Sequence, residues 1–356
     1  MNESRHRRES LANRDGQSAK PWCGPRRRWL EIVATSALGL LASRQVAGAA
    51  AKPLIWRGEL LGASTSVTVW HEDRAVADAA LLAVAHEVAT LESVFSLQRA
   101  DSALARLNRA GRLAPAPGAL LEVLDQCALL HRSSNGAFDP TVQPLWSLFA
   151  AHFARPDADP SGPTAAAIDA ARARVGFEQV LCEGDAVGFA RTGVELTLNG
   201  IAQGYVTDRA RDVLARYGLS HCLINLGEYR ALGMKPSAHA WHVAISHPNL
   251  PWRRIATVAL EADRALATSA GAGTPFDPRG RFHHLFDPQT GRCANGWRSV
   301  TVVAGSAMLA DALSTALAVA SPARTATILA RAPGAGALLL DEDDRLHAMG
   351  EAVRTI

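Results

Sequence analysis

Apolar residues recur every three or four positions in several stretches of the chain, the spacing that places side chains on one face of an α-helix. Residues 76–95 show this spacing through Leu81, Val84, Val88 and Leu91. A helix of this kind packs its apolar face against another layer of the protein. On this pattern, helices are predicted over residues 76–95, 119–132, 201–217, 306–320 and 323–331.

Other stretches are short runs of β-branched and apolar residues bounded by turn-forming residues, which is the pattern of β-strands. They do not alternate regularly with the helices as in a dinucleotide-binding fold, and no G-x-G-x-x-G sequence occurs. This predicts the α+β class: a single layered domain, residues 50–356, in which helices pack on a mostly antiparallel sheet. The predicted strands are residues 180–182, 194–198, 222–226, 241–245, 255–260 and 299–303.

The first 49 residues have the pattern of an export signal rather than of a folded domain. Three arginines, Arg26 to Arg28, precede a weakly apolar stretch at residues 32–42, and small residues follow at 47–49. The apolar stretch is shorter than the ~20 residues that span a bilayer as a helix. We therefore predict a twin-arginine signal peptide over residues 1–49 and a periplasmic location for the mature chain. The alternative is a disordered basic tail.

The net charge of the 356-residue chain is small, +3. Much of the positive charge lies before residue 29, so the predicted domain is close to neutral and lacks the basic surface that binds nucleic acid. The five cysteines do not show the Cys/His spacing of a structural zinc site. The charge thus argues against nucleic-acid binding, and the cysteine spacing argues against a structural zinc site.

Two segments combine glycines with groups that can contact a ligand. Residues 136–142 form a turn after a helix, which exposes backbone amides and the carboxylate of Asp139. Residues 197–205 run from a strand into a helix through Gly200 and Gly204, where a ligand can approach the backbone and a phosphate can meet free N–H groups. Taken alone, either segment can also be an ordinary tight turn.

A third segment, residues 283–291, places two histidines before an Asp-Pro-x-Thr-Gly turn. The imidazole of His284 is a titratable base beside this turn, and Asp287 follows three residues later. A free imidazole titrates near pH ~6.5, so a proton-accepting role predicts a loss of rate below that pH. A purely structural histidine is the alternative.

The fourth segment, residues 306–317, is apolar on nearly every face, as buried helices are. Asp311 and Thr315 are four positions apart and therefore project from the same face. A buried carboxylate needs a positive partner, and no Lys or Arg lies within a turn or two in the sequence. Oxygen ligands of this kind suit Mg²⁺. An ion pair between Asp311 and a distant arginine is the alternative.

Together and in this order, the four segments resemble the FAD:protein FMN transferase (ApbE) family. The matching patterns are G-x-F-D-x-T-V-x-P-L, G-I-A-x-G-Y-x-x-D, H-x-x-D-P-x-T-G and A-D-A-L-S-T-A, and the likeness runs from Phe95 to Ala320. The resemblance implies one α+β domain with FAD in a cleft and Mg²⁺ near its pyrophosphate. It also implies transfer of FMN from FAD to a Thr or Ser hydroxyl of an acceptor protein, with release of AMP.

The resemblance further implies roles for individual residues. Asp311 and Thr315 would bind magnesium together with the backbone carbonyl of Gly200. His284 would accept the proton of the acceptor hydroxyl, and Asp287 would fix the turn that carries it. The implied FAD contacts are Ala137, Phe138, Asp139, Thr197, Gln203 and Leu285.

The chain departs from the family pattern at several positions. Thr197 stands where aspartate is usual, Gln203 replaces a lysine, Gln98 replaces an aromatic residue, and residues 226–230 replace a Gly-Gly turn. The form of residues 197–204, with the twin-arginine signal, is similar to the subgroup associated with nitrous oxide reductase maturation. That likeness implies an acceptor flavoprotein at the periplasmic side of the inner membrane, a regulator of nitrous oxide reduction.

Two other functions would use the same pocket. In an FAD pyrophosphatase, water replaces the acceptor and free FMN is released, whereas a flavin carrier or assembly factor binds the flavin and transfers nothing. The departures at Thr197 and Gln203 favour a carrier. The intact pair of Asp311 and Thr315 favours a catalyst, because a carrier needs no activating metal.

Overall fold

The structure, a computed structural model, describes residues 53–60 and 63–350, together with Val353 and Thr355. The predicted signal peptide, residues 1–49, lies outside the described residues. From Pro53 onward the described residues belong to one compact unit.

The five predicted helices are present, each within two residues of the predicted bounds, because long apolar periodicity is a strong signal. Three further α-helices, α2, α4 and α5 in the numbering below, were not predicted. None of the described helices is long and apolar enough to cross a membrane. The helices are α1 (Arg74–Phe95), α2 (Ala103–Ala110), α3 (Gly118–Ser133), α4 (Gln143–Phe153), α5 (Ala165–Arg172), α6 (Ala202–Arg216), α7 (Ala307–Val319) and α8 (Pro322–Ala330).

The strands of the described chain form one large antiparallel sheet and two small ones. The large sheet has the order β1-β2-β6-β7-β10-β11-β12-β13, with β3-β5-β4 and β8-β9 as separate sheets. The bounds are β1 (Leu54–Leu60), β2 (Ala63–Val69), β3 (Arg112–Leu113), β4 (Val180–Glu183), β5 (Ala186–Phe189), β6 (Cys222–Asn225), β7 (Tyr229–Leu232), β8 (Trp241–His247), β9 (Leu250–Leu260), β10 (Ala265–Ser269), β11 (Ser299–Ala304), β12 (Gly336–Leu340) and β13 (Leu346–Met349).

The large sheet separates two apolar layers, because successive side chains of a strand point to opposite faces. On β10, Ala265 and Ala267 join the main core with helices α1, α6 and α7, whereas Leu266 joins a second core with the β8–β9 hairpin. Helix α7 packs directly on β10 and β11. The layered α+β fold with a mostly antiparallel sheet is therefore confirmed.

The strand predicted at residues 194–198 is wrong, although the segment is extended. Its backbone pairs with side chains and turns instead of a neighbouring strand. The amide side chain of Asn108 donates to the Leu196 carbonyl at 2.8 Å and accepts the Leu196 N–H at 2.8 Å. Asn108 thus replaces a partner strand, which periodicity alone does not reveal.

Candidate active site

Helix α7 is held at its N-terminus by buried polar contacts. The Asp208 carboxylate accepts the N–H groups of Ala307 and Met308, both at 2.9 Å. Arg230 lies 3.4 Å from that carboxylate and also donates to the Gly305 carbonyl. These contacts fix the axial position of α7 and hence of the polar residues one turn further along it.

We expect the Asp208→Ala variant to lose about 1–3 kcal/mol of the free energy of unfolding, because two partly buried N–H groups lose their acceptor. Urea unfolding of the purified protein measures the loss. Asp78→Ala is the control: its carboxylate forms an exposed pair with Arg74 at 3.4 Å, which contributes little. Equal losses in the two variants would contradict the role given to Asp208.

The structure brings Gly200, Asp311 and Thr315 together. The Gly204 N–H, in the first turn of α6, donates to the Asp311 carboxylate at 3.0 Å. A β-carbon at Gly200 would lie 2.8 Å from the Thr315 hydroxyl, so the Gly200 backbone abuts that side chain. From β10, the Ser269 hydroxyl lies 3.3 Å from the same hydroxyl. The three predicted metal ligands therefore lie close together, between α6, α7 and β10.

A second acid, Glu228, lies at the same place and was not predicted. It follows β6 in the short turn to β7 and is 8% exposed. Burial and the neighbouring Asp311 carboxylate raise the pKa of Glu228 well above its usual range. Burial raises the pKa of Asp311 to about 7, against the opposing effect of the Gly204 N–H. Two acids thus face one buried space.

The donor set fits a hard cation. Within the described residues, no Lys, Arg or His side chain pairs with Asp311 or Glu228, so the alternative of a distant arginine is not supported there. The remaining groups are a hydroxyl and a backbone carbonyl, and oxygen ligands of these kinds suit Mg²⁺. In the described part of the chain no group of three or more His, Cys, Asp or Glu side chains is placed so that it could hold a metal ion.

The segment at 136–142 is a turn, as predicted, but the Asp139 carboxylate is not exposed. One oxygen accepts the N–H and the hydroxyl of Thr141, at 2.8 and 2.5 Å, and the other accepts the Phe177 N–H at 3.2 Å. His131 lies 3.6 Å away. Asp139 therefore shapes the turn that carries Ala137 and Phe138, both of which are buried.

Two of the predicted flavin contacts, Ala137 and Thr197, lie at this turn, and Gln203 lies elsewhere, against Gly227. The Thr197 N–H donates to the Pro140 carbonyl at 2.8 Å, which joins the first segment to the second. Gln203 lies in the first turn of α6, and a β-carbon at Gly227 would come within 2.9 Å of its side chain. Ala137 and Asp287 line one cavity of about 200 Å³, together with Arg324. The first and third segments thus border one cavity, and the second segment contacts the first.

The loop that carries His284 is fastened by aromatic packing. Phe276, Phe282 and Phe286 surround Phe149 of α4, with ring centroids 5.0–6.1 Å from it. At the turn, the Asp287 carboxylate accepts the Gln289 N–H at 2.9 Å and the Thr290 hydroxyl at 3.1 Å. Asp287 thus holds the turn, as expected, and Leu285 is buried.

His284 is a neutral base in this setting. Burial, together with the neighbouring His283, lowers its pKa to about 4. The His284 Nδ1 atom is buried and has no hydrogen-bond partner of good geometry in the described part of the chain. His283, by contrast, accepts the Leu285 N–H at 3.3 Å and packs against Gly271. An unpartnered imidazole is a group that can accept a proton from a ligand.

Known proteins resemble this chain in sequence and in fold. The ApbE family profile matches residues 61–339. The FAD:protein FMN transferase of Treponema pallidum is 33% identical over 293 residues, which cover 75% of this chain and 79% of that protein. The enzyme of the same name from Vibrio cholerae is 33% identical over 230 residues, 63% of this chain and 68% of that protein.

Solved structures give the same result. The flavin transferase ApbE from Vibrio cholerae has a TM-score of 0.72 at 25% identity, over 85% of this chain and 98% of that one. The ApbE protein from Thermotoga maritima has a TM-score of 0.74 at 26% identity, over 84% and 97%. The shared fold and the sequence similarity place the protein among the flavin transferases. The chain belongs to the ApbE family.

Proposed function

We propose that the chain is an FAD:protein FMN transferase that requires Mg²⁺, uses a Thr or Ser hydroxyl of an acceptor protein and releases AMP. Family membership and the names of the relatives support flavin transfer. The observation that carries the metal requirement is the group of Asp311, which is buried, Thr315 and the Gly200 backbone, which offers oxygen ligands but has no described cationic side chain.

The reaction forms a bond between the acceptor oxygen and the FMN-side phosphorus and breaks the pyrophosphate bond to AMP. Bound Mg²⁺ would neutralise charge that develops on the pyrophosphate. Asp311 and Thr315 would hold the ion, and the turns shaped by Asp139 and Asp287 would position the flavin. His284 would take the proton from the acceptor hydroxyl.

Incubation of the purified protein with FAD, Mg²⁺ and a candidate acceptor flavoprotein tests the proposal. Covalent flavin on the acceptor, seen as fluorescence in a denaturing gel, together with AMP supports transfer. An acceptor variant that lacks the target hydroxyl is the control. Free FMN with AMP indicates an FAD pyrophosphatase, and bound FAD without AMP indicates a flavin carrier; either result contradicts transfer.

We also propose that residues 1–49 are a twin-arginine signal, that the mature domain starts at residue 50, and that the enzyme acts in the periplasm. Its acceptor would then be a flavoprotein at the periplasmic side of the inner membrane, a regulator of nitrous oxide reduction. The arginine run and the Thr197–Gly204 sequence support this proposal.

Replacing Arg26 and Arg27 with lysines is expected to retain the precursor in the cytoplasm, because the export receptor reads the arginines and not only their charge. Cell fractionation and immunoblotting of precursor and mature forms measure export. Lysines at Arg7 and Arg8, outside the motif, are the matched control and should leave export unchanged. Normal export of the Arg26/Arg27 variant would contradict the signal assignment.

A further inference from the structure

Glu228 reaches the candidate metal site from an element that the motifs do not include. Gly227 has φ +106°, and this left-handed turn presses against Gln203 in the first turn of α6. The next residue of that helix, Gly204, donates its N–H to the Asp311 carboxylate at 3.0 Å. The Thr268 backbone N–H of β10 meets the Glu228 carboxylate. The turn, α6 and β10 therefore enclose both acids.

In the metal-free protein the surroundings disfavour charge on both acids. Burial and the neighbouring Asp311 carboxylate raise the pKa of Glu228, and the Thr268 N–H opposes them only in part. In the described residues neither acid has a cationic side chain as partner. A divalent cation would supply the missing positive charge and allow both acids to be ionised.

We propose that Glu228 supplies the second carboxylate of the divalent-cation site, acting on the same ion as Asp311 and Thr315. This inference rests on the metal requirement of the proposed function. Asp311 alone would balance one of the two charges of Mg²⁺, and Glu228 balances the other. Glu228 is thus a residue of the metal site, delivered by the turn that departs from the family pattern at residues 226–230.

Metal binding by the mature chain, residues 50–356, tests this directly. Mn²⁺ is titrated into metal-free protein, and free Mn²⁺ is measured by electron paramagnetic resonance. Glu228→Gln is expected to weaken Mn²⁺ binding by about 10- to 100-fold, the usual loss when a carboxylate in or next to a metal's coordination shell is removed. Glu122→Gln is the control, since its carboxylate pairs with the Tyr205 hydroxyl at 2.5 Å, and it should bind Mn²⁺ like the wild type.

Thermal unfolding separates this role from a structural one. Without metal, Glu228→Gln should raise Tm, because one of two buried acids without a cationic partner is gone. With Mg²⁺, the rise in Tm that the ion gives the wild type should shrink. A structural glutamate would do the reverse: its loss would lower the metal-free Tm and leave the rise with Mg²⁺ intact. That result would overturn the inference.

Two variants distinguish a metal site without Glu228 from the absence of any metal site. If Asp311→Asn loses Mn²⁺ binding and Glu228→Gln keeps it, the inference is overturned and the metal requirement stands. If the wild type binds no Mn²⁺, both fall. Should Glu228→Gln fail to fold, Glu228→Asp keeps the charge on a shorter side chain. Reduced Mn²⁺ affinity in Glu228→Asp supports the inference, and unchanged affinity overturns it.

Discussion

Asp311→Asn is expected to lower the rate of FMN transfer by about 10³-fold or more while the protein stays folded. A bound metal ion lowers the activation barrier of such reactions by several kcal/mol, and each 1.36 kcal/mol of barrier is a factor of ten in rate. Asparagine keeps an oxygen that can accept the Gly204 N–H, which now donates to Asp311 at 3.0 Å. What it removes is the negative charge that would hold the cation.

Single-turnover transfer at saturating FAD and Mg²⁺ measures this effect. Asp212→Asn is the matched control: it removes a carboxylate of the same helix layer that pairs with Arg211 at 3.2 Å. Its transfer rate should equal that of the wild type. Transfer by Asp311→Asn above a tenth of the wild-type rate would exclude Asp311 as a metal ligand.

Asp311→Ala adds a cost that Asp311→Asn avoids. Alanine leaves the buried Gly204 N–H without an acceptor, which costs about 1–3 kcal/mol. From the apolar surroundings of α7 alone, Asp311→Ala would be expected to leave stability unchanged. Because Asp311 also accepts a hydrogen bond from α6, a loss of stability is expected instead. The pair of variants thus separates loss of charge from loss of a hydrogen bond.

Much of the candidate metal site could be predicted from the sequence, because the arrangement of these residues depends on local spacing. The four-residue interval between Asp311 and Thr315 places both on one face of any helix. Gly200 precedes a helix whose periodicity is clear. Glu228 could not be predicted in this way, because its position depends on antiparallel pairing of β7 with β10, where Leu266 lies opposite Tyr229. Pairing between distant segments leaves no periodic signal in the chain.

The predicted flavin contacts show the same limit. The sequence identified the turn at Asp139, but the direction of its carboxylate depends on Phe177, 38 residues later. The extended segment near Leu196 has strand-like composition, yet its partner is the single side chain of Asn108. Local patterns therefore give the elements, and contacts between distant residues decide which groups remain available to a ligand.

The pH dependence of transfer should differ from that of an ordinary histidine. Burial lowers the pKa of His284 to about 4, so the ring stays neutral and able to accept a proton throughout pH 5–8. The rate loss near pH ~6.5 that a free imidazole predicts should be absent. The lowered pKa also makes the folding stability depend on pH. Because protonation of His284 favours the unfolded state, its contribution to stability is complete above pH ~6.5 and is lost as the pH drops toward 4.

His284→Ala is expected to slow single-turnover transfer by about 10²–10⁴-fold, the usual contribution of a general base, with little change in FAD affinity. Its Nδ1 has no described partner, so no hydrogen bond is lost.

His283→Ala is the matched control. It loses the contact to the Leu285 N–H and should be less stable, but the folded fraction should transfer FMN at the wild-type rate. FAD binding by fluorescence and transfer at pH 7 are measured on both variants. If His284→Ala loses FAD affinity and transfer rate in equal proportion, His284 is a ligand contact and another group accepts the proton.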